Sequence, residues 1–169
     1  QSLVTVAGKG MMGVPGIAAR TFAAVHAAGL SVSTIFQSSS ESSIGFTLSE
    51  LEAERAVAAL RASFRSEIEA GLVDGVSARR GVAVIAVVGH GMAGAPGIAA
   101  RVFSALAARR INVIAIAQGS SELNISFVVE EAQAAEAARA VHGAFQLSKI
   151  GGGRALEKPR TDVVLLGFG

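Results

Sequence analysis

A chain of 169 residues that is 51% apolar, with eight Phe and neither Trp nor Tyr, reads as a globular protein with a core of small side chains, not as a disordered segment. It has no cysteine, which excludes disulfides, thiol catalysis and thiolate metal sites. Its net charge of +2 comes from scattered Arg and Lys, and it has neither a bilayer-length apolar run nor a secretory leader, so the expectation is a soluble cytoplasmic protein with no nucleic-acid or membrane partner.

Leu3 to Ala7 alternates and is rich in β-branched residues, which predicts a strand closed by the glycines that follow. A helix is expected to open near Pro15, because proline's fixed φ suits the first helical position and its missing N–H would be unpaired there anyway. Ile17, Ala18, Thr21, Phe22, Val25 and Ala28 then recur at helical spacing, and Gly29 closes the helix. Leu30 to Gln37 and about Ser43 to Leu48 read as strands joined by the short serine-rich turn 38–42, which is too short for a crossover and makes them antiparallel neighbours. Ser49-Glu50 opens a second amphipathic helix, with Leu51, Ala56, Leu60 and Phe64 able to face a core. Leu72 to Ala78 supplies a fourth strand.

The same order then returns. Gly8-Lys9-Gly10-Met11-Met12-Gly13-Val14-Pro15-Gly16-Ile17-Ala18-Ala19-Arg20 reappears as Gly89-His90-Gly91-Met92-Ala93-Gly94-Ala95-Pro96-Gly97-Ile98-Ala99-Ala100-Arg101. At one constant offset Phe22 matches Phe103, Gln37 matches Gln118 and Phe64 matches Phe145, so one unit of about 80 residues is used twice. The second copy is expected as a strand at 82–88, a helix at 96–109, strands at 111–118 and 123–129, and a helix at 131–145. Each unit is β-α-β-β-α-β, the split βαβ arrangement with two helices on one face of a four-stranded antiparallel sheet, an α+β class. The expected division is 1–80, 81–154, a polar linker at 155–161, and at 162–169 an apolar strand running into Gly-Phe-Gly. Gln146 to Arg154 leaves room for only a short last strand in the second copy.

Both copies contain Gly-x-Gly-x-x-Gly directly after a strand, the beginning of a dinucleotide-binding pattern. The pattern fails further on. The helix is delayed to Pro15 or Pro96, the second strand ends in Gln and not in an acid that could hold a ribose, and a hairpin stands where a crossover should be. No Gly-Lys-Ser/Thr is present for a phosphate loop. His26, His90 and His142 form no metal spacing, and no nucleophile stands with a base, so no catalytic or metal site is expected and no cofactor could be held by these residues.

The helix starts suggest a different ligand. Gly16, Ile17 and Ala18, and their partners Gly97, Ile98 and Ala99, offer backbone N–H groups where the helix dipole favours an anion such as a carboxylate. The glycines either leave a small molecule room to approach or merely permit the turn. Gln37 and Gln118, at the ends of otherwise apolar strands, either pair with a ligand's hydroxyl, ammonium or carboxylate or bond to the serine turn. Ser38, Ser39, Ser40 and Glu41 read as turn residues.

Taken together, Gly-Met-x-Gly-x-Pro-Gly-Ile-Ala-Ala-Arg with Gln-Ser-Ser-Ser-Glu, and again with Gln118-Gly119-Ser120-Ser121-Glu122-Leu123-Asn124-Ile125-Ser126, closely resemble the tandem ACT domains of aspartate kinases. The order of parts is most like that of the bifunctional aspartate kinase and homoserine dehydrogenase. The resemblance covers Leu3 to Arg154 and implies ferredoxin-like ACT modules, an excised regulatory region without catalytic residues, and a parent enzyme using ATP, Mg and NAD(P). On it, Asp162 to Gly169 would be the first strand of the dehydrogenase's nucleotide-binding domain. It also implies feedback inhibition by an end-product amino acid, threonine before lysine, and assembly into a homo-oligomer through the modules. The implied effector contacts are Gly16, Ile17, Ala18, Ser31 and Gln37 in the first copy and Gly97, Ile98, Ala99, Asn112 and Gln118 in the second. Ser33 and Ile114 stand where lysine-sensing relatives can place an acid. A ligand-independent assembly module is the other role that the pattern permits.

Overall fold

The structure is a computed structural model that describes residues 1–37, 41–89, 92–118 and 123–145, with the backbone alone of 164–168. It divides into two units, 1–82 and 83–169, two residues beyond the division read from the repeat.

In the first unit β1 (Ser2–Ala7) runs into the glycine loop, and α1 (Ile17–Ala27) follows. Then come β2 (Thr34–Gln37), β3 (Ser43–Leu48), α2 (Ala53–Ser63), a short α3 (Arg65–Glu69) and β4 (Gly75–Arg79). The sheet order is β2-β3-β1-β4 with every pairing antiparallel, so β1 is central and β2 lies at an edge. Alternation along β1 sends Val4 and Val6 into a core with Phe46, Leu48, Leu60 and Phe64, all six fully buried. Phe22 of α1 meets Phe46 in a tilted ring contact at 5.9 Å. The small residues Ala53 and Ala56 on α2 are also completely buried, as a core poor in bulky aromatics requires.

The second unit repeats this plan with β5 (Val82–Val88), α4 (Ile98–Ala108), β6 (Ala115–Gln118), β7 (Asn124–Glu130) and α5 (Ala134–Ala144). Val87, Val102, Phe127, Val129 and Val141 form its fully buried centre, and Phe103 stands edge-on to Phe127 at 6.4 Å. The α+β class and the βαββαβ order are as expected.

Besides later starts for α1 and α4, at Ile17 and Ile98 and not at the prolines, and for β4, at Gly75 and not at Leu72, and a Leu51 that is exposed and not turned to the core, three departures from the sequence reading stand out. The second strand of each unit begins four residues later than expected, at Thr34 and Ala115. The preceding residues are taken up in leaving the helix: Leu30 N–H bonds the Val25 carbonyl at 3.2 Å, and Ile111 N–H bonds that of Leu106 at 3.0 Å. The second departure is α3, which the periodicity of α2 had hidden. The third is β8 (Val164–Phe168), which pairs antiparallel with β5 and takes the position that β4 holds in the first sheet. The sequence reading gave this stretch to the start of a following domain. Here its backbone pairs with the edge of β5, which would otherwise present unpaired N–H and C=O groups. The short strand expected at 146–154 and the linker at 155–161 lie outside the described residues. No helix among the described residues is long and apolar enough to cross a membrane.

Candidate functional site

The glycine loop leaves the central strand and is fixed from behind. Gly8 N–H bonds the Ser42 carbonyl at 2.9 Å, and Gly10 N–H bonds the Leu72 carbonyl at 3.0 Å. A Cβ on Gly8 would lie 2.5 Å from the Leu72 oxygen and from the Val73 Cα, and one on Gly10 would lie 2.7 Å from Leu72. Both glycines are therefore required by close backbone approach. Met11 is buried beneath the loop and anchors its far side.

The loop delivers the chain to Gly16, whose φ of 88° lies in the left-handed region, and Gly97 repeats this value. Arg20 N–H bonds the Gly16 carbonyl at 2.9 Å, and Arg101 N–H bonds that of Gly97 at 3.0 Å, closing the first turn of each helix. No side chain caps either helix start. The leading N–H groups, which have no intrahelical acceptor, face outward at the position of the next two residues.

Strand register brings the glutamine to the same place. Gln37 stands opposite Ile44, and Gln118 opposite Ile125. Opposed residues share a face of the sheet, and Ile44 and Ile125 belong to the cores beneath the helices, so both glutamines lie on the helix-covered face. The outcome is a pocket of about 420 Å³ lined by Gly13, Pro15, Gly16, Ile17, Ala18 and Gln37, with Met11 and Ile44 also in its wall. Its counterpart of about 380 Å³ is lined by Gly94, Pro96, Gly97, Ile98, Ala99 and Gln118, with Met92 and Ile125. Gln37 and Gln118 are themselves exposed, so their place at the pocket rim, not a burial penalty, singles them out.

Eight of the ten expected contact residues thus come together, four in each pocket. Ser31 and Asn112 do not. Both are exposed, precede β2 and β6 where the sequence reading placed them on the strand, and are absent from the pocket linings. Glu41, a turn residue by its sequence context, lines the first pocket. Its backbone is left-handed (φ 55°), and its Oε2 accepts a hydrogen bond from Gly13 N–H at 3.1 Å. The matched pair Ser40-Glu41 and Ser121-Glu122 was the signal for it.

Electrostatically the most marked feature near the first pocket lies one helical turn inside α1. Arg20 grips Glu67 of α3 through both carboxylate oxygens, and its guanidinium also lies 4.6 Å from the Phe64 ring centroid. Chiefly this contact, with help from the backbone N–H of Glu67 and the Ser66 hydroxyl, holds the Glu67 carboxyl down to about 2. Among the described residues no cluster of three or more His, Cys, Asp or Glu is placed to hold a metal ion. Among the described residues, each pocket offers groups for binding: backbone donors for an anion on one side and a neutral amide on the other, joined in the first pocket by the Glu41 carboxylate.

A family model described as the ACT domain matches residues 4–64 and 85–145, one match per unit. The bifunctional aspartokinase/homoserine dehydrogenase of Haemophilus influenzae is 46% identical over 143 residues, covering 85% of this chain and 18% of that protein. A chloroplastic bifunctional aspartokinase/homoserine dehydrogenase of Daucus carota is 43% identical over 148 residues, 88% of this chain and 16% of the relative. The chain therefore spans less than a fifth of the length of these curated relatives. Among solved structures, the ligand-free regulatory subunit of aspartate kinase from Thermus thermophilus matches with a TM-score of 0.70 at 31% identity, covering 85% of this chain and 92% of that one. Escherichia coli aspartokinase III in complex with lysine and aspartate matches with a TM-score of 0.62 at 27% identity, over 85% of this chain and 30% of that one.

Proposed function

Since the chain belongs to the ACT domain family, with two copies in tandem as in aspartate kinase regulatory regions, we propose that it senses an end-product amino acid, threonine first, for a bifunctional aspartate kinase and homoserine dehydrogenase. The observation that carries this reading is the repeated pocket: the same helix start faces the same glutamine twice, at the constant offset of the sequence repeat. In each, the effector carboxylate meets the N–H groups of Ile17 and Ala18, or Ile98 and Ala99, and the amide of Gln37 or Gln118 takes the hydroxyl and ammonium end. Binding that favours one arrangement of the modules biases the catalytic parts of the parent protein, where ATP, Mg and NAD(P) would be used. Assembly of the parent through its ACT modules belongs to the same proposal, as does a cytoplasmic site of action; the carrot relative is named chloroplastic.

Thermal melts with threonine, lysine and methionine test it. An effector at about 100 times its dissociation constant stabilises the binding state by about 2.7 kcal/mol, so millimolar threonine should raise the melting temperature. Gln37→Ala and Gln118→Ala should each reduce the shift. No shift with any of the three amino acids sinks the sensing role and leaves an assembly module. Lysine is the second reading, favoured by Glu41, whose carboxylate in the first pocket could take a side-chain ammonium; a shift with lysine alone, lost in Glu41→Gln, selects it.

A further inference from the structure

We propose that Arg20 and Glu67 are positioning residues of the first pocket: together they fix the start of α1 against the glycine loop, and so set where the pocket's backbone donors point. The effector part of the proposal rests on the sensing role above; the geometric part stands without it.

The pocket loop runs from Gly10 to Gly16, and Glu67 reaches both of its flanks. On the far flank its side chain holds α1, because Arg20 donates to Oε1 through Nη1 and to Oε2 through Nη2, the latter at 3.0 Å. On the near flank its backbone carbonyl accepts from Leu72 N–H at 2.8 Å and Val73 N–H at 3.1 Å, and the Leu72 carbonyl in turn accepts from Gly10 N–H at 3.0 Å. The Ser66 hydroxyl steadies Oε2 from the side at 2.9 Å. Arg20 also ties α1 to the end of α2, donating through Nε to Ser63 Oγ at 3.3 Å and through Nη2 to the Ser63 carbonyl. A planar fork that satisfies one carboxylate, one hydroxyl and one carbonyl leaves α1 little freedom to slide or rotate. Arg20 is the fourth residue of α1, and its own N–H closes the turn at Gly16, so any rotation at Arg20 is passed directly to Gly16, Ile17 and Ala18.

The second unit supplies a control within the same chain. Arg101 keeps the aromatic contact, 4.6 Å from the Phe145 ring centroid, but at the repeat offset Ser63 becomes Ala144 and Glu67 becomes Ser148. At that offset the second unit has no carboxylate to meet Arg101.

The test uses the whole 169-residue chain as wild type, Glu67→Gln and Arg20→Lys, followed by amide NMR and hydrogen exchange with and without L-threonine. Without ligand, both variants should shift the Gly16 to Ala18 amides and speed exchange at Thr21 and Phe22 about tenfold, the scale of one charge-assisted hydrogen bond. Gly97 to Ala99, Val102 and Phe103 should keep wild-type values. With threonine, the dissociation constant reported by the first set of amides should rise about tenfold while that of the second set holds. Unchanged amides in the first unit, or equal disturbance of both units, overturn the proposal. If threonine moves neither set in the wild type, the sensing role fails, and the ligand-free exchange still decides whether the pair positions α1.

Discussion

In the first unit the carboxyl of Glu67 couples ionisation to the contact between α1 and α3. Arg20 holds it down to about 2 against an ordinary 4.5. A depressed carboxylate adds stability that is complete above the unfolded value and is lost as pH falls through the folded one. Acid unfolding of wild type and Glu67→Gln should therefore differ at neutral pH and converge between about pH 4.5 and 2, as followed by circular dichroism. Equal acid profiles for the two proteins would deny the pair any part in folding. Arg20 was visible in the sequence as the last residue of the repeated motif, yet its partner was not. Glu67 lies on a helix that begins after the core spacing of α2 has ended, and the second copy has Ser148 in its place, so neither periodicity nor repetition marks it. The glutamines were legible for the opposite reason, since each interrupts an apolar strand at the same point of both copies. Ser31 and Asn112 fall before their strands because Leu30 and Ile111 beside them serve the exit from the helix, bonding back to Val25 and Leu106.

Among the elements, the glycine loop is the one most tightly specified. Gly8 is extended (φ 173°) and needs no unusual backbone, but the turn after α3 fills the space where its side chain would be. Backbone cannot yield as the end of a flexible side chain can. Gly8→Ala should therefore destabilise the first unit by about 1–3 kcal/mol, the usual cost of overpacking, measurable as a lower urea midpoint with an unchanged slope. A midpoint equal to wild type would mean that the turn 72–74 moves freely. The helices and inner strands were readable because their apolar periods are clean. The edge strands were not, since a four-residue strand gives alternation too little length to fix where it starts. The same limit applied to β8: its apolar run and Gly-Phe-Gly end announced a strand, and only the open edge of β5 determined which sheet would take it.

For the whole molecule, the repeat was the most informative feature of the sequence. It set the number of units, their order of elements and the equivalence of their pockets before any geometry was known. That equivalence predicts a stoichiometry. Calorimetric titration should give two threonine sites per chain, and Gln37→Ala should leave one, still lost on adding Gln118→Ala. A single site in the wild-type chain would restrict the sensing role to one unit. What the repeat could not convey is where the copies differ. The partner of Arg20, and the strand that fills the fourth position in each sheet, both arise in the stretch after Phe64 or Phe145, where the two sequences diverge.

Each pocket also joins the best-held strand of its sheet to one of the least. Its floor is the loop leaving β1, which is paired on both sides, while its rim is the end of β2, four residues held by β3 alone. A molecule gripped by Ile17, Ala18 and Gln37 at once would staple that rim to the floor. Fraying of β2 and occupancy of the pocket would then exclude one another, so the short edge strand would serve as a gauge of how much amino acid surrounds the protein.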